Sequence, residues 1–290
     1  MTRLFAVLAA TIALFAAAPA AAAAAAAASC PVYETEGTGP DVLLVPGLAS
    51  SPETYDDMVA ALKDRYRFHR VAIAGFAGTP ATSGNPVATA EADIVRYIGC
   101  AKLTAPALIG HSLGGFMGQE IARDHPGLLS RLVIVDALPF YPLIFDPAAT
   151  ADAIRPQAAA ITAQLRKMDD AMFAAGQART AVMLSASKQG QQRIAAWSIA
   201  SDRNAMADAM ATLMTTDLRP DLAGITLPVT VLYATNEFVP EDRAKALFEG
   251  AYASLPDVRF VPIADSRHFI MFDQPEAFAQ AIDAALSPQP

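Results

Sequence analysis

Ser112 sits in Gly110-His111-Ser112-Leu113-Gly114, a G-x-S-x-G spacing, and the pentapeptide falls between an apolar run, Pro106 to Ile109, and a helical stretch that begins at Leu113. Between a strand and a helix, so sharp a turn strains the serine backbone and lifts the hydroxyl clear of both elements. Small residues are needed two positions to either side, because a side chain there collides with the neighbouring strand or helix. The helix start just beyond Ser112 offers unpaired N–H groups and positive dipole to an oxyanion, and Leu113 supplies one of those N–H groups. A serine hydroxyl is a weak nucleophile until a base takes its proton. The chain has four histidines. His69 falls in or beside a strand and reads as half-exposed. His111 precedes Ser112 and points away from it, and His125 ends a helix beside Pro126, where a cation suits the dipole. His268 lies in a loop just past a strand, from which a rigid sheet can aim it at Ser112.

These side chains need elements to position them, and the hydrophobic pattern supplies a regular set. Asp41 to Val45 and Arg131 to Asp136 are short continuous apolar runs of the kind that form strands covered on both faces. Val32–Glu36, Tyr66–Ala74, Pro228–Tyr233 and Val258–Ile263 are further strand candidates. Helices are predicted from Pro52 to Lys63 with Ser51 as cap, around Val87 to Ile98, from Leu113 to Asp124, from Pro240 to Ala251, and from Gln274 to Leu286 with Asp273, Pro275 and Glu276 as start signals. Strands alternating with helices predict a mostly parallel sheet with helices on both faces. From Pro139 to Arg219 there is no strand candidate. That stretch is rich in alanine and methionine at helical spacing, with Met168 and Met172, then Met206, Met210 and Met214, four residues apart, which predicts a helical insertion.

Residues 1–28 carry one early cation, Arg3, then an apolar run from Leu4 to Phe15 and an alanine tract with several A-x-A sites. That pattern predicts a secretory signal peptide and hence a secreted or periplasmic protein. A membrane anchor and a lipidated Cys30 are the competing readings. An exported chain matures where disulfides persist, so the two cysteines, Cys30 and Cys100, are expected to pair rather than remain unrelated thiols. The net charge of -8 and the lack of a lysine- or arginine-rich run argue against nucleic acid and anionic membrane surfaces as partners. No stable membrane insertion of the mature chain is expected.

Taken together, the chain resembles the α/β-hydrolase superfamily over essentially all of its mature region. The resemblance is carried by the strand followed by Pro46-Gly47-Leu48, the elbow Gly110–Gly114, the strand Arg131–Asp136 followed by an insertion, and Ser266-Arg267-His268-Phe269 before the last helix. It implies an α/β-hydrolase fold, with a core of residues 29–138 and 220–290 around a mostly parallel sheet and a helical cap insertion over 139–219. It also implies the chain order serine, acid, histidine, which makes His268 the base. Relatives with this layout usually place an aspartate after the penultimate strand, shortly before a Val-Pro pair. Here Tyr233-Ala234-Thr235-Asn236-Glu237-Phe238-Val239-Pro240 has asparagine and glutamate instead. Glu237 is taken as the acid, its extra methylene making up a one-residue offset. Asp136, at the end of the preceding strand, is the other candidate, because some members supply the acid from there. Asp265 lies too close in sequence to turn under the His268 ring. The same resemblance makes Leu48 N–H the second oxyanion donor beside Leu113 N–H. It also makes the insertion a cap that excludes water and selects substrate, its methionines either lining an apolar wall or packing cap against core. Trp197 reads as packing, and Phe76, Phe140, Tyr141 and Phe269 as pocket-lining candidates.

The function expected from these residues is hydrolysis of small-molecule carboxylic esters through an acyl-enzyme, with Ser112 attacking, His268 shuttling the proton and Leu48 and Leu113 holding the oxyanion. No metal or organic cofactor is implied, since no cluster of histidine, cysteine and carboxylate has ligand spacing. Cofactor-free haloperoxidase activity, carbon–carbon bond hydrolysis and amide cleavage use the same residues. A protein of this fold that has lost catalysis and binds a ligand under its cap is the alternative of a different class, motivated by the missing aspartate.

Overall fold

One seven-stranded sheet, in the order β1-β3-β2-β4-β5-β6-β7, organises the computed structural model, which describes residues 29–287. The strands are β1 (Glu34–Gly37), β2 (Asp41–Val45), β3 (Arg67–Arg70), β4 (Ala107–His111), β5 (Arg131–Val135), β6 (Val229–Ala234) and β7 (Val258–Ile263). Only the β1–β3 pair is antiparallel; every other pair is parallel. The helices are α1 (Asp56–Leu62), α2 (Pro86–Cys100), α3 (Leu113–Asp124), α4 (Ala151–Lys167), α5 (Asp170–Leu184), α6 (Lys188–Ile199), α7 (Arg203–Thr215), α8 (Glu241–Ala251), the single turn α9 (Ile270–Asp273) and α10 (Pro275–Leu286). The expected signal peptide lies outside the described residues.

The apolar runs of β2, β4 and β5 are buried because helices cover both sides of the sheet. Strand alternation divides their side chains between two cores. Leu43, Leu108, Leu132 and Ile134 face α2, α3 and α8, whereas Val42, Leu44, Ile109 and Val133 face α1 and α10. β3 is shorter than its apolar pattern, ending at Arg70. His69 is buried, not half-exposed, because its ring is held between Asp41 (2.9 Å) and the Tyr97 hydroxyl (2.8 Å).

Between β5 and β6 the chain makes four α-helices and two short 3₁₀ turns. Each of the four helices starts at a side-chain cap, from Thr150, Asp169, Ser187 and Asp202 in turn. α4 packs on α7, α5 on α6, and α7 on α2. Asp202 N–H also donates to the Gly75 carbonyl (2.7 Å), and Ser201 Oγ accepts from Ala77 N–H (2.8 Å), so the insertion is stitched to the loop after β3. Met206 and Met214 are buried as packing and Met172 is exposed. Trp197 packs on Phe272 beneath the Arg193 guanidinium. A Cys30–Cys100 disulfide joins the segment ahead of β1 to the end of α2, with Cα atoms 6.0 Å apart and a separation of 70 positions in sequence.

Candidate active site

β4 ends at His111 and α3 starts at Leu113, so Ser112 alone makes the turn, at φ 51° and ψ -116°. A left-handed, non-glycine residue is strained, and the packing around it explains how it is held. A Cβ on Gly110 would run into the Gly114 carbonyl, and one on Gly114 into the Val45 carbonyl. The glycines are therefore required by close approach of β4, α3 and β2. Ser112 N–H donates to Val135 O (2.9 Å), which extends the β4–β5 ladder by one rung and sets Ser112 beside the C-terminal end of β5.

The next residue on β5 is Asp136, also left-handed at φ 48°. Its N–H donates to Leu232 O (2.8 Å), and its carboxylate reaches across to two groups. Oδ1 accepts from Ala234 N–H at 3.0 Å, and Oδ2 lies 2.7 Å from His268 Nδ1. With a carboxylate on that side the ring carries its proton on Nδ1, leaving the Nε2 lone pair for a serine proton. Among the described residues, Ser112 Oγ has no hydrogen-bond partner and the Leu48 and Leu113 N–H groups have no acceptor. Free donors beside a free hydroxyl suit an incoming carbonyl. The 46–48 loop reaches Ser112 through Gly47, on which a Cβ would lie 3.2 Å from Ser112 Cβ and 2.9 Å from His111 Nδ1.

The His111 ring is bonded to the His268 loop, a supporting role that its sequence position does not advertise. Complete burial, together with the nearby His268, holds its pKa well below the usual imidazole value. The neutral ring donates from Nε2 to the His268 carbonyl at 3.0 Å, and the two rings lie 4.6 Å apart. Asn236 Nδ2 donates to Ser266 O at 2.7 Å, fixing the same loop two residues earlier.

The carboxylate paired with His268 in the structure is Asp136, the other candidate, and not the expected Glu237. The reason is local. Asn236 Oδ1 accepts from the N–H groups of Phe238 (2.9 Å) and Val239 (3.1 Å), closing a tight turn that throws Glu237 outward, exposed and without a bond to His268. Asp265 is exposed as well. Phe76, Phe140 and Phe269 are buried in the cores instead of lining an open pocket, and Tyr141 is partly buried. No group of three or more histidine, cysteine or carboxylate side chains is placed to hold a metal among the described residues. A cavity of about 450 Å³ lies at the opposite end of the strands, lined by Tyr66, Thr104 and Arg131. Ser112, Asp136 and His268 are at the C-terminal ends, where open parallel sheets bind ligands.

A model of the alpha/beta hydrolase family matches residues 42–281. The chain is 24% identical over 260 residues to the pimeloyl-[acyl-carrier protein] methyl ester esterase of Nitrosomonas europaea, covering 87% of this chain and 97% of that protein. It is 28% identical over 255 residues to polyketide synthase ThaQ of Burkholderia thailandensis, covering 86% of this chain but spanning only 12% of that protein's length. Among solved structures, the enol-lactonase from Burkholderia xenovorans LB400 superposes with a TM-score of 0.72 at 18% identity, over 89% of this chain and 96% of that one, a likeness of fold.

Proposed function

The chain belongs to the alpha/beta hydrolase family, and from that premise we propose that it is a serine esterase that cleaves small carboxylic esters with a Ser112–His268–Asp136 triad. The observation that carries this reading is the 2.7 Å contact between His268 Nδ1 and Asp136 Oδ2, one residue beyond the rung that joins Ser112 to β5. In the reaction, Ser112 Oγ attacks the ester carbonyl carbon while His268 Nε2 takes its proton. The carbonyl oxygen becomes an oxyanion facing the N–H groups of Leu48 and Leu113. As the intermediate collapses, His268 returns the proton to the departing alkoxide, leaving an acyl-serine. Water then repeats the sequence, losing its proton to His268 and releasing the acid and free Ser112. Asp136 holds the imidazole in the tautomer that can accept, and stabilises the imidazolium each time it forms.

The similarity to a methyl ester esterase over most of both chains supports an ester substrate. Serine at the elbow, with the His268–Asp136 pair at the same end of the sheet, supports the covalent route. With Asp136 beside His268, the motive for a non-catalytic ligand-binding protein, an apparently missing aspartate, falls away. Export to the periplasm or outside the cell is part of the proposal. The pattern of residues 1–28 and the Cys30–Cys100 disulfide support it. The insertion after β5 is read as a cap over the site.

The test is labelling with a fluorophosphonate and hydrolysis of p-nitrophenyl esters from acetate to palmitate. The expected result is label on Ser112 and turnover of at least one ester, both abolished in Ser112→Ala without loss of fold. A folded wild-type protein that neither labels nor cleaves any ester overturns the reading.

A further inference from the structure

Among the described residues Asp273, at the end of α9, is in no ion pair, yet its carboxylate is saturated by donors from two separate parts of the chain. Oδ1 accepts from Ser185 Oγ (2.5 Å), Ala186 N–H (2.9 Å) and Ser187 N–H (3.1 Å). Oδ2 accepts from Arg267 N–H (2.8 Å) and, more weakly, Ala186 N–H (3.1 Å). Ser185 to Ser187 form the loop between α5 and α6 in the insertion, whereas Arg267 immediately precedes His268. Hydrogen bonds to an ionised acceptor are roughly twice as strong as neutral ones, so this single carboxylate is a firm joint between the insertion and the histidine loop.

A second set of bonds runs alongside it. Phe269 N–H, immediately after His268, donates to Leu184 O at 2.9 Å, and the Arg267 guanidinium donates to the Val182 and Ser185 carbonyls. The residues on both sides of His268 are therefore bonded to residues 182–187 of the insertion. Other anchors, among them His111 on the His268 carbonyl and Asn236 on the Ser266 carbonyl, come from the core. The aim of His268 is thus set partly by where the α5–α6 loop stands.

We propose that Asp273 is a positioning residue for catalysis, registering the His268 loop to the insertion so that placement of the insertion and alignment of the base are one event. This rests on the serine esterase reading. A shift of about 1 Å between reacting groups can lower a rate by roughly a hundredfold, so loosening one of the joints around His268 should be felt in turnover while the ring keeps its contact with Asp136.

The discriminating substitution is Asp273→Asn. The amide oxygen stays with the three insertion donors on the Oδ1 side, and the NH₂ then faces Arg267 N–H, donor against donor, next to His268. The expected result is a kcat for p-nitrophenyl acetate lowered roughly ten- to a hundredfold, with KM within about threefold, a matching fall in the rate of fluorophosphonate labelling, and a shifted or broadened low-field Nδ1 proton resonance of His268. Asp273→Glu keeps two acceptor oxygens and should recover part of the loss. Ser185→Ala removes one donor and leaves the carboxylate in place, so it serves if Asp273→Asn does not fold, and a several-fold fall in kcat is expected. Folded variants with kcat within twofold of wild type and an unchanged Nδ1 resonance overturn the proposal. The resonance is read without any ester, so a wild-type protein that neither labels nor turns over refutes the esterase reading separately.

Discussion

Replacing Asp136 by asparagine sets two requirements of the site against each other. The carboxylate uses Oδ1 to accept from Ala234 N–H at 3.0 Å and Oδ2 to face His268 Nδ1 at 2.7 Å. An amide has one oxygen for these two donors. If the oxygen stays on Ala234 N–H, the NH₂ faces Nδ1 and forces the ring to accept there, moving its proton to Nε2, the atom that has to take the proton of Ser112. If the amide flips, its NH₂ meets Ala234 N–H and leaves a partly buried donor unpaired, at about 1–3 kcal/mol, and no negative charge remains to stabilise the imidazolium. Either way kcat should fall on the order of 10⁴-fold, as for the same change in a serine protease, equivalent to about 5.5 kcal/mol of transition-state stabilisation. KM should change little, because no substrate contact is lost. Glu237→Gln, on the exposed tip of its turn, should stay within about twofold of wild type. The assay is kcat and KM on a p-nitrophenyl ester for both variants, with a melting curve to confirm folding. A folded Asp136→Asn enzyme keeping more than a tenth of wild-type kcat, or a tenfold loss in Glu237→Gln, would refute the assignment.

Other substitutions test the scaffold around this pair. Glu91 on α2 faces Glu120 on α3, and burial first, then the Glu120 carboxylate and Asp124, push its pKa from 4.5 up to about 9 against the pull of Arg123; Glu120 is raised as well, mainly by burial. The folded state therefore holds a proton that the unfolded state has released above 4.5, so this stabilisation is complete below that pH and is lost as pH rises through about 9. Glu91→Gln should flatten the decline, with a larger gain in Tm at pH 9 than at pH 5; an equal effect at both would show that Glu91 does not retain the proton. Gly47→Ala should lower kcat by roughly tenfold or more, because its Cβ would lie 2.9 Å from His111 Nδ1 and 3.2 Å from Ser112 Cβ, pushing the Leu48 donor loop away; steady-state kinetics on the folded variant decide it. Cys100→Ser opens a 70-residue loop and should cost about 4 kcal/mol, a fall in Tm of about 10 °C, whereas a Tm unchanged by this substitution or by reductant would mean that the bond does not form in solution.

The elbow, the buried strands and the disulfide partner were legible in the sequence because each is fixed by local or forced chemistry. Gly110 and Gly114 are demanded by backbone contact, continuous apolar runs demand cover on both faces, and the two cysteines of the sequence have only each other. The carboxylate partner of His268 was not legible. Asp136 and Glu237 both lie between Ser112 and His268 in sequence, so chain order admits either, and what separates them is the side-chain turn at Asn236, which looks like an ordinary loop residue until its three hydrogen bonds are seen. Asp273 was misread in a similar way. Two residues before Pro275 it has the composition of a helix start, but α10 begins at Pro275 after Gln274, and the Asp273 carboxylate receives N–H groups from the insertion and from Arg267. Sequence pattern reports what a residue does for its own element, and these two residues serve elements far away in the chain.

Taking the acid from β5 has a structural consequence for the whole site. Ser112 and Asp136 are the first residues beyond two neighbouring parallel strands, both left-handed, and strain of that kind costs about 1–3 kcal/mol per residue. It persists because each N–H is still bound into the sheet, Ser112 to Val135 O and Asp136 to Leu232 O, so the ladder fixes both backbones where side-chain packing alone would not. The backbones of Ser112 and Asp136 are thus set by the register of β4, β5 and β6. His268 is the one member that rides on a loop, and that loop needs the most bracing: His111 from the elbow, Asn236 from the turn after β6, and Asp273 with Leu184 from the insertion. The chain leaves the sheet at Asp136 to build the insertion and returns from it to bond the residues on both sides of His268, which is why the proposed esterase would align that ring through the insertion as well as through the core.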